Sequence, residues 1–336
     1  MSNSLDKLES YNINHKDIQK LKDIGINTIQ ELYMTRRKNL LNIKGFTERK
    51  VKNIFNEANK IETYGLFLNA SAFMKERNNN IFKISTSSQS IDDILGGGIE
   101  SSSITELIGE KNTNKTDFLH ILSVIAQKSF PESKIIFIDL DNTFNQKKIA
   151  DFCKELNLKK KKVLENIILI NNIEDYDQIL QKLNEISEKM QKGEYCLLII
   201  ESLISLFQKI YKDNAISNSQ INQYEIKMDI ESKLGQILRK LKNIAFLFNI
   251  AVIITRTINT GDGDIGGEEL GNKTDNYNDL LLFDPNIDII LGNECVTRIK
   301  FKKIKNGKIK CFILNSPILA ENNCKFIINE KGIIDC

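Results

Sequence analysis

The sequence predicts an α/β protein with a large core built on a central, mostly parallel sheet, preceded by a small all-α N-terminal domain. After a polar break at residues 78–80, short Ile-rich runs alternate with long amphipathic segments, which is typical of repeated strand-helix-strand units. Before that break, from Ile13 to Lys60, apolar residues recur at helical spacing. The length of 336 residues also favours more than one domain.

Composition and charge exclude only a few classes of protein. The net charge is +3, which is too small to indicate a nucleic-acid partner by itself. Six cysteines without a Cys-x-x-Cys pair, and only two histidines, argue against a zinc site or a disulfide framework and fit a reducing compartment. No apolar run approaches the ~18 residues that span a bilayer, and the N-terminus lacks the features of a secretory signal. We therefore expect a soluble protein with no membrane partner.

A helix-hairpin-helix pattern lies within the N-terminal domain. Gly45 separates two helical runs and permits a close turn, and Thr47 stands where its side chain can cap the following helix. The exposed helix start offers amide groups to a phosphate. Lys44, Gly45, Arg49 and Lys50 are therefore candidates for sequence-independent contact with a DNA backbone. The alternative interpretation is a plain helical bundle with solvated lysines.

The core contains several apolar runs of strand length. The candidate parallel strands are Ser103–Ile108, Lys134–Asp139, Ile167–Ile170, Cys196–Ile200 and Ala251–Thr255. Further runs predict an antiparallel extension, with Asn306-Gly307 as a hairpin turn. These runs are Arg298–Ile304, Lys308–Leu314 and Lys325–Ile328.

A phosphate-binding loop follows the first core strand and precedes an apolar helix. It consists of Gly109, Glu110, Lys111, Asn112, Thr113, Asn114, Lys115 and Thr116. The pattern GxxxxGK[ST] requires Lys115 to reach the β- and γ-phosphates and the Thr116 hydroxyl to meet Mg²⁺. Asn114 replaces the second Gly; Asn tolerates positive φ better than other side chains, although its bulk would point into a crowded loop. The alternative interpretation is an ordinary polar loop.

Acidic residues end two further strands. The apolar run from Tyr195 to Ile200 ends in Glu201, a layout that holds Mg²⁺ through water beside a phosphate loop, although most such strands end in Asp. Asp139 and Asp141 follow the preceding strand, where a carboxylate could activate a water at a γ-phosphate. Acids are also common caps at strand ends, so a purely structural role stays open.

Together these residues resemble the eukaryotic RecA-like recombinases, most closely the meiosis-specific branch, over nearly the whole chain. The resemblance is strongest in Tyr33–Arg37, Lys44–Gly45, Glu57–Lys60, Gly96–Ser101 and Ile104–Glu106. It implies ATP and Mg²⁺ as cofactors, with residues 109–116 binding the nucleotide and Thr116 and Glu201 holding the metal. It further implies that Asp141 occupies the position of the family's catalytic Glu. Glu201 would occupy the position of the usual strand-end Asp and would also be catalytic.

The resemblance also implies how the chain is organised and assembled. A helical domain would span residues 1–62, a linker residues 63–80, and the RecA-like P-loop ATPase core residues 81–336. The linker is similar to the family's polymerisation motif, in which Phe67 and Ala70 would enter pockets on a neighbouring protomer. By residue type alone they could instead pack on their own core. Two loops, Lys209–Met228 and Asn259–Asn286, would contact DNA.

Several positions depart from the family pattern. The Asn-Gln pair after the later strand is Arg256-Thr257, and the subsequent Gly-Gly is replaced near Ile287-Asp288. The Asp that precedes Ser-Pro, which caps a neighbour's nucleotide in the family, is Asn315.

The resemblance implies a nuclear, ATP-dependent DNA recombinase that forms filaments on single-stranded DNA and promotes homologous pairing and strand exchange. It would act in meiotic recombination and double-strand break repair as a DNA-dependent ATPase. Expected partners are single- and double-stranded DNA, further copies in a filament or ring, other recombinases and mediators. The departures favour an alternative, a nucleotide-binding paralogue with weak or no ATPase that acts as an accessory DNA-binding protein. An unrelated P-loop ATPase or kinase would not explain the helix-hairpin-helix and the linker motif together.

Overall fold

The computed structural model describes residues 4–35, 37–61, 69–209, 223–258 and 285–336. The chain divides into two units, Met1–Asn80 and Ile81–Cys336. Within the described ranges, none of the helices combines the length and the apolar character needed to cross a membrane.

The first unit is helical, as its apolar periodicity predicts. A 3₁₀ helix (Leu5–Tyr11) precedes α1 (His15–Asp23), α2 (Ile29–Met34), α3 (Arg37–Leu41), α4 (Glu48–Ile61) and α5 (Ala70–Asn80). Asn14 caps α1, and Thr28 caps α2 through a reciprocal capping box with Glu31. Apolar side chains from these segments, including Leu8 and Leu21, pack into one core. The caps thus explain where α1 and α2 begin, and burial of their apolar side chains explains why such short helices are stable.

In the described part of the second unit, nine strands form one sheet in the order β11-β10-β9-β8-β3-β7-β6-β4-β5. Their bounds are β3 (Ser103–Glu110), β4 (Lys134–Asp139), β5 (Ile167–Ile170), β6 (Tyr195–Glu201), β7 (Ala251–Ile258), β8 (Thr297–Lys303), β9 (Ile309–Asn315), β10 (Asn323–Asn329) and β11 (Gly332–Asp335). A separate antiparallel pair joins β1 (Lys83–Ile84) to β2 (Ile99–Glu100). The α/β prediction with a mostly parallel sheet is confirmed.

The strand directions refine the predicted antiparallel extension. Strands β9, β10 and β11 are antiparallel to their neighbours, and Asn306 and Gly307 in the β8–β9 turn both have positive φ, so the predicted hairpin is confirmed. Strand β8, however, also pairs parallel with β3, so it belongs to the parallel sheet on one side and to the extension on the other. The short strands β1, β2 and β11 lack the length that makes a pattern recognisable from sequence.

Helices cover both faces of the sheet and create two apolar layers. They are α6 (Gln89–Ile94), α7 (Lys115–Ser129), α8 (Gln146–Glu155), α9 (Lys160–Asn166), α10 (Tyr176–Met190), α11 (Gln223–Phe248) and α12 (Pro285–Glu294), and residues 203–209 are also helical. On β7, Ile253 joins the layer beneath α7, whereas Ile254 joins the layer beneath α11. This alternation follows from the period of two in a strand and explains the almost unbroken Ile and Leu runs of the central strands.

The glycine turn before β2 is required by close backbone packing. Gly96, Gly97 and Gly98 all have positive φ. At Gly98 an added Cβ would lie 2.2 Å from the carbonyl oxygen of Ile84 in β1. Only glycine combines this conformation with so close an approach.

Candidate nucleotide site

The loop between β3 and α7 has the backbone geometry that the phosphate-loop pattern requires. Asn114 lies in the left-handed region, with φ of 59° and ψ of 29°, immediately before the first residue of α7. Asn therefore adopts the conformation for which the pattern uses Gly. Gly109 has no room for a side chain, because an added Cβ would lie 2.6 Å from Thr113 Oγ1 and 3.0 Å from the Phe301 carbonyl oxygen.

Lys115, the first residue of α7, folds back over this loop. Its ammonium group donates to the carbonyl oxygens of Gly109 at 2.8 Å and Glu110 at 2.9 Å. Burial lowers the pKa of Lys115 to about 8, although Glu201 and Glu110 favour the charged form. The ammonium group is thus held among carbonyl oxygens, which the oxygens of a bound phosphate would replace.

Glu201, the last residue of β6, contacts the Thr116 hydroxyl. Thr116 Oγ1 donates to Glu201 Oε1, while Glu201 Oε2 is buried without a hydrogen-bond partner. Burial raises the pKa of Glu201 above its ordinary value; the neighbouring hydroxyl groups of Thr116 and Thr143 oppose this shift, and the charges of Asp139 and Asp141 add to it. A threonine hydroxyl beside a carboxylate with an unsatisfied oxygen is a donor set that suits Mg²⁺.

The two aspartates at the end of β4 have different surroundings. Asp139 is buried, and it accepts hydrogen bonds from the backbone N–H groups of Phe144 at 2.7 Å and Asp141 at 3.3 Å. It therefore closes the turn after the strand. Asp141 is exposed at the rim of the pocket and accepts a hydrogen bond from Ser205 Oγ at 3.2 Å. Of the two carboxylates, only that of Asp141 lines the pocket.

These elements meet around one pocket of about 690 Å³ at the carboxyl ends of β3, β4, β6 and β7. It brings together residues 111–116, Asp141 and Glu201, which the sequence singled out from three separate segments. Pockets at this edge are the rule for parallel α/β sheets, because strand ends and helix starts converge there.

His120 also lines the pocket, although the sequence pattern did not point to it. Its Nε2 accepts from the backbone N–H of Asn145 at 3.1 Å, and its ring stacks on Phe137 with 5.8 Å between centroids. Burial lowers the pKa of His120 to about 4, so the ring is neutral and positions the loop that follows Asp141. The sequence held one indication of this position: His120 follows Thr116 by four residues, so the two side chains lie on the same face of one helix.

The helix-hairpin-helix turn has the geometry expected from its sequence. Gly45 has φ of 91°, and the Lys20 ammonium donates to the carbonyl oxygen of Lys44 at 2.8 Å. Thr47 Oγ1 accepts from the backbone N–H of Lys50 at 3.3 Å, which is the predicted cap.

The basic residues of this turn differ in their availability. Lys44 and Arg49 are exposed. The Lys50 ammonium lies 2.9 Å from Asp17 Oδ2, so part of its charge is already neutralised. Lys44 and Arg49 are therefore better placed than Lys50 to meet a phosphate backbone.

Some predicted residues fall outside the described ranges. Phe67 lies there, as do positions 210–222 and 259–284 of the two predicted DNA-contacting loops. Ala70 is described: it begins α5 and is exposed.

The sequence model of the Rad51 family matches residues 77–336. The chain belongs to this family of RecA-like recombinases. The Homo sapiens meiotic recombination protein DMC1/LIM15 homolog is 34% identical over 341 residues, covering 98% of this chain and 92% of the relative. Meiotic recombination protein DLH1 of Candida albicans is 32% identical over 336 residues, covering 99% and 97%. DNA repair protein RAD51 of Mycosarcoma maydis is 31% identical over 334 residues, covering 98% and 91%. The chain lies near the meiotic branch of the Rad51 family, which is a family of nucleotide-binding ATPases.

Two departures from the Rad51-family pattern, Arg256 and Asp288, contact each other. Arg256 Nη2 lies 2.6 Å from Asp288 Oδ1, and Arg298 Nη2 lies 2.6 Å from the same oxygen. Arg298 Nε donates to Oε2 of the fully buried Glu106 at 2.6 Å. Arg256 Nε lies 2.9 Å from Glu106 Oε1, but the two atoms are not aligned for a hydrogen bond. We call Glu106, Arg256, Asp288 and Arg298 the charge quartet; Glu106, Arg256 and Arg298 are buried, whereas Asp288 is exposed.

The charge quartet joins β3, β7, β8 and α12. Burial alone would raise the pKa of Asp288, but hydrogen bonds from Arg298 and Arg256 outweigh it and lower that pKa below its ordinary value. Two carboxylates, one buried and one exposed, thus balance two guanidinium groups. The Arg256 side chain, at the edge of the pocket, is committed to these carboxylates.

Asn114→Gly is expected to leave the free energy of unfolding within about 1 kcal/mol of the wild type, because either residue accepts positive φ. Asn114→Val is expected to lose about 1–2 kcal/mol, because a β-branched side chain does not. Urea unfolding measures both. Asn184→Val, at an exposed position in α10, is the matched control and should change stability by less than about 0.5 kcal/mol. An Asn114→Val variant as stable as this control would contradict the assigned backbone conformation.

Binding of a nucleotide at pH 8 to 9 is expected to take up protons, because a phosphate would favour the ammonium form of Lys115, whose pKa is about 8. Calorimetry in two buffers of different ionisation enthalpy measures the uptake, which should vanish in Lys115→Ala. Equal proton uptake by the wild type and by Lys115→Ala would assign the titration to another group.

The lowered pKa of Lys115 also predicts how the stability of the nucleotide-free protein depends on pH. Between pH 8 and the ordinary lysine pKa of 10.5 the unfolded chain binds more protons than the folded chain, so the free energy of unfolding should rise with pH.

Proposed function

We propose that this chain is an ATP-dependent recombinase that assembles on single-stranded DNA and promotes homologous pairing and strand exchange. The proposal includes a nuclear location and a role in meiotic recombination and double-strand break repair. Two relatives whose alignments cover 98% of this chain are named meiotic recombination protein and DNA repair protein, which supports this assignment.

The observation that carries the proposal is the pocket in which the phosphate loop, Thr116, Glu201 and Asp141 converge at one edge of the sheet. A βα loop with an inward lysine is suited to phosphate, because its amides and ammonium supply positive charge in a partly buried site. The unpartnered Glu201 Oε2 beside the Thr116 hydroxyl suits a divalent cation.

ATP and Mg²⁺ are the ligands that these residues fit best. Residues 109–116 would hold the phosphates, and Thr116 with Glu201 would hold Mg²⁺, which when bound neutralises charge that develops on the phosphates. Lys115 would orient and stabilise the γ-phosphate. Asp141, exposed at the pocket rim, would accept a hydrogen bond from the attacking water and thereby orient it. His120 holds the neighbouring loop in place by accepting a hydrogen bond from the backbone N–H of Asn145.

DNA binding and assembly are assigned to separate parts of the chain. Lys44, Gly45 and Arg49 would meet the phosphate backbone, with Lys50 contributing less because it is paired with Asp17. Phe67 and Ala70 would join one protomer to the next in a filament or ring. Other recombinases and mediators complete the proposed partners.

ATP turnover with and without single-stranded DNA and Mg²⁺ tests the proposal. The expected result is hydrolysis that DNA stimulates and that chelation of Mg²⁺ abolishes, with Lys115→Ala as the control for contaminating activity. Absence of turnover in a folded, DNA-binding preparation would overturn the ATP-dependent part of the proposal.

A second candidate function is an accessory, nucleotide-binding relative with weak or no hydrolysis. The charge quartet favours it, because Arg256 occupies a position at the pocket where the family carries a polar amide, and its side chain is engaged by Glu106 and Asp288. In that case DNA binding and assembly would be nearly unchanged in Lys115→Ala. DNA-stimulated ATP turnover in the wild type, expected for the first function and weak or absent for the second, therefore separates the two.

A further inference from the structure

Two of the six cysteines face each other across β9 and β10. Cys311 and Cys324 are direct register partners in this antiparallel pair. Opposite residues of such a pair project to the same face, and their Cα atoms lie about 4.5–5.5 Å apart. Disulfides bridge Cα separations of about 4.4–6.8 Å. The two strands therefore hold these thiols within bridging distance in the reduced protein.

The surroundings of the two thiols give them different reactivity. Cys311 is fully buried in the apolar layer beneath α7, whereas Cys324 is partly exposed at its margin. A hydrogen bond from the Cys311 thiol lowers the pKa of Cys324 below its ordinary value, against the effect of burial. The same hydrogen bond, together with burial, raises the pKa of Cys311. Cys324 is thus the accessible nucleophile, and Cys311 is the resolving thiol beside it.

We propose that Cys311 and Cys324 form a reversible oxidation site, at which a hydroperoxide converts the two thiols into a disulfide. The Cys324 thiolate attacks one oxygen of hydrogen peroxide, the O–O bond breaks, and the departing hydroxide takes up the thiol proton to become water. The sulfur of Cys311 then attacks the resulting Cys324 sulfenic acid, so that the S–S bond forms, the S–O bond breaks and a second water leaves. Both thiols are oxidised, the peroxide is reduced, and a dithiol reductant reverses the change.

The disulfide would act on the connection between the two strands. It closes a loop from Cys311 to Cys324 that contains Asn315 and the turn at 316–322. Closing this loop restricts the separation of β9 from β10. Oxidation is therefore expected to slow amide hydrogen exchange in residues 312–323.

Peptide mapping of the full-length protein tests the proposal directly. Trypsin cleaves after Lys310 and Lys325, so both cysteines fall in one peptide, residues 311–325. The Cys336→Ser variant, which lacks the exposed C-terminal thiol, prevents cross-linking between chains. After treatment with hydrogen peroxide, unfolding and maleimide labelling, the peptide is expected to lose two hydrogens and all label. Dithiothreitol should restore full labelling. Cys295, buried and without a cysteine neighbour among the described residues, is the matched control and should stay labelled.

Single substitutions test the assigned roles. In Cys311→Ala the Cys324 sulfenic acid is expected to persist and to react with dimedone; in Cys324→Ala Cys311 should stay reduced. A 311–325 peptide that remains fully labelled, at peroxide doses that oxidise Cys336 in the wild type, would overturn the proposal. Because this measurement uses the native cysteine pair, it does not depend on whether the substituted chains fold.

Discussion

Lys115→Ala is expected to lower DNA-stimulated ATP turnover by roughly 10²–10³-fold, because it removes the positive charge held inside the phosphate loop. In the structure the Lys115 ammonium donates to the Gly109 and Glu110 carbonyl oxygens and has a lowered pKa because it is buried. A bound phosphate would place a further negative charge in direct contact with this desolvated cation, beyond those of Glu201 and Glu110. Phosphate release under saturating ATP, Mg²⁺ and single-stranded DNA measures the loss.

Lys128→Ala is the matched control for this effect. Lys128 lies on the same helix, α7, but it is exposed and does not line the pocket. Its turnover should equal that of the wild type. The urea midpoint of Lys115→Ala should be no lower than that of the wild type, since the substitution removes a cation whose burial is unfavourable. Turnover in folded Lys115→Ala within twofold of the wild type would contradict the assigned role.

Glu106→Gln is expected to destabilise the core by about 3–5 kcal/mol, the cost of removing one partner from a buried ion pair. Glu106 is fully buried and contacts both Arg256 and Arg298. Its neutralisation would leave the two guanidinium groups with Asp288 alone. Urea unfolding measures the loss.

The control for Glu106→Gln is Glu155→Gln, an exposed position at the end of α8. It should change the free energy of unfolding by less than about 0.5 kcal/mol. The double variant Glu106→Gln with Arg256→Gln should lose less than the sum of its parts, because each change removes the other's unpaired charge. A loss below about 1 kcal/mol in Glu106→Gln would mean that Arg256 and Arg298 are stabilised without Glu106.

Local sequence was sufficient to predict the strand, loop and helix start that line the candidate nucleotide site. The strand, the loop and the helix that form it are consecutive, so the apolar run before Gly109 and the Lys115-Thr116 pair define it without distant information. The positive φ at Asn114 was accessible in the same way, because it depends on one residue's own backbone. The parallel sheet likewise followed from alternating apolar runs.

The roles of the acids at strand ends required the fold. Asp139 and Asp141 are two residues apart, and both fit the same pattern. Only the closing of the turn onto Asp139 assigns it to the backbone and leaves Asp141 at the pocket rim. The proximity of Glu201 to Thr116 depends equally on the pairing of β6 with β7 and of β7 with β3.

By itself, the sequence determined the family, the α/β class and the strand-loop-helix segment around Lys115, because each rests on residues that are neighbours along the chain. Only the tertiary structure decided that Arg256 meets Asp288 and that Cys311 faces Cys324. Such contacts depend on strand order and register, where a shift of one residue turns every side chain to the opposite face. Register is set by packing of the whole core, so no local pattern encodes it.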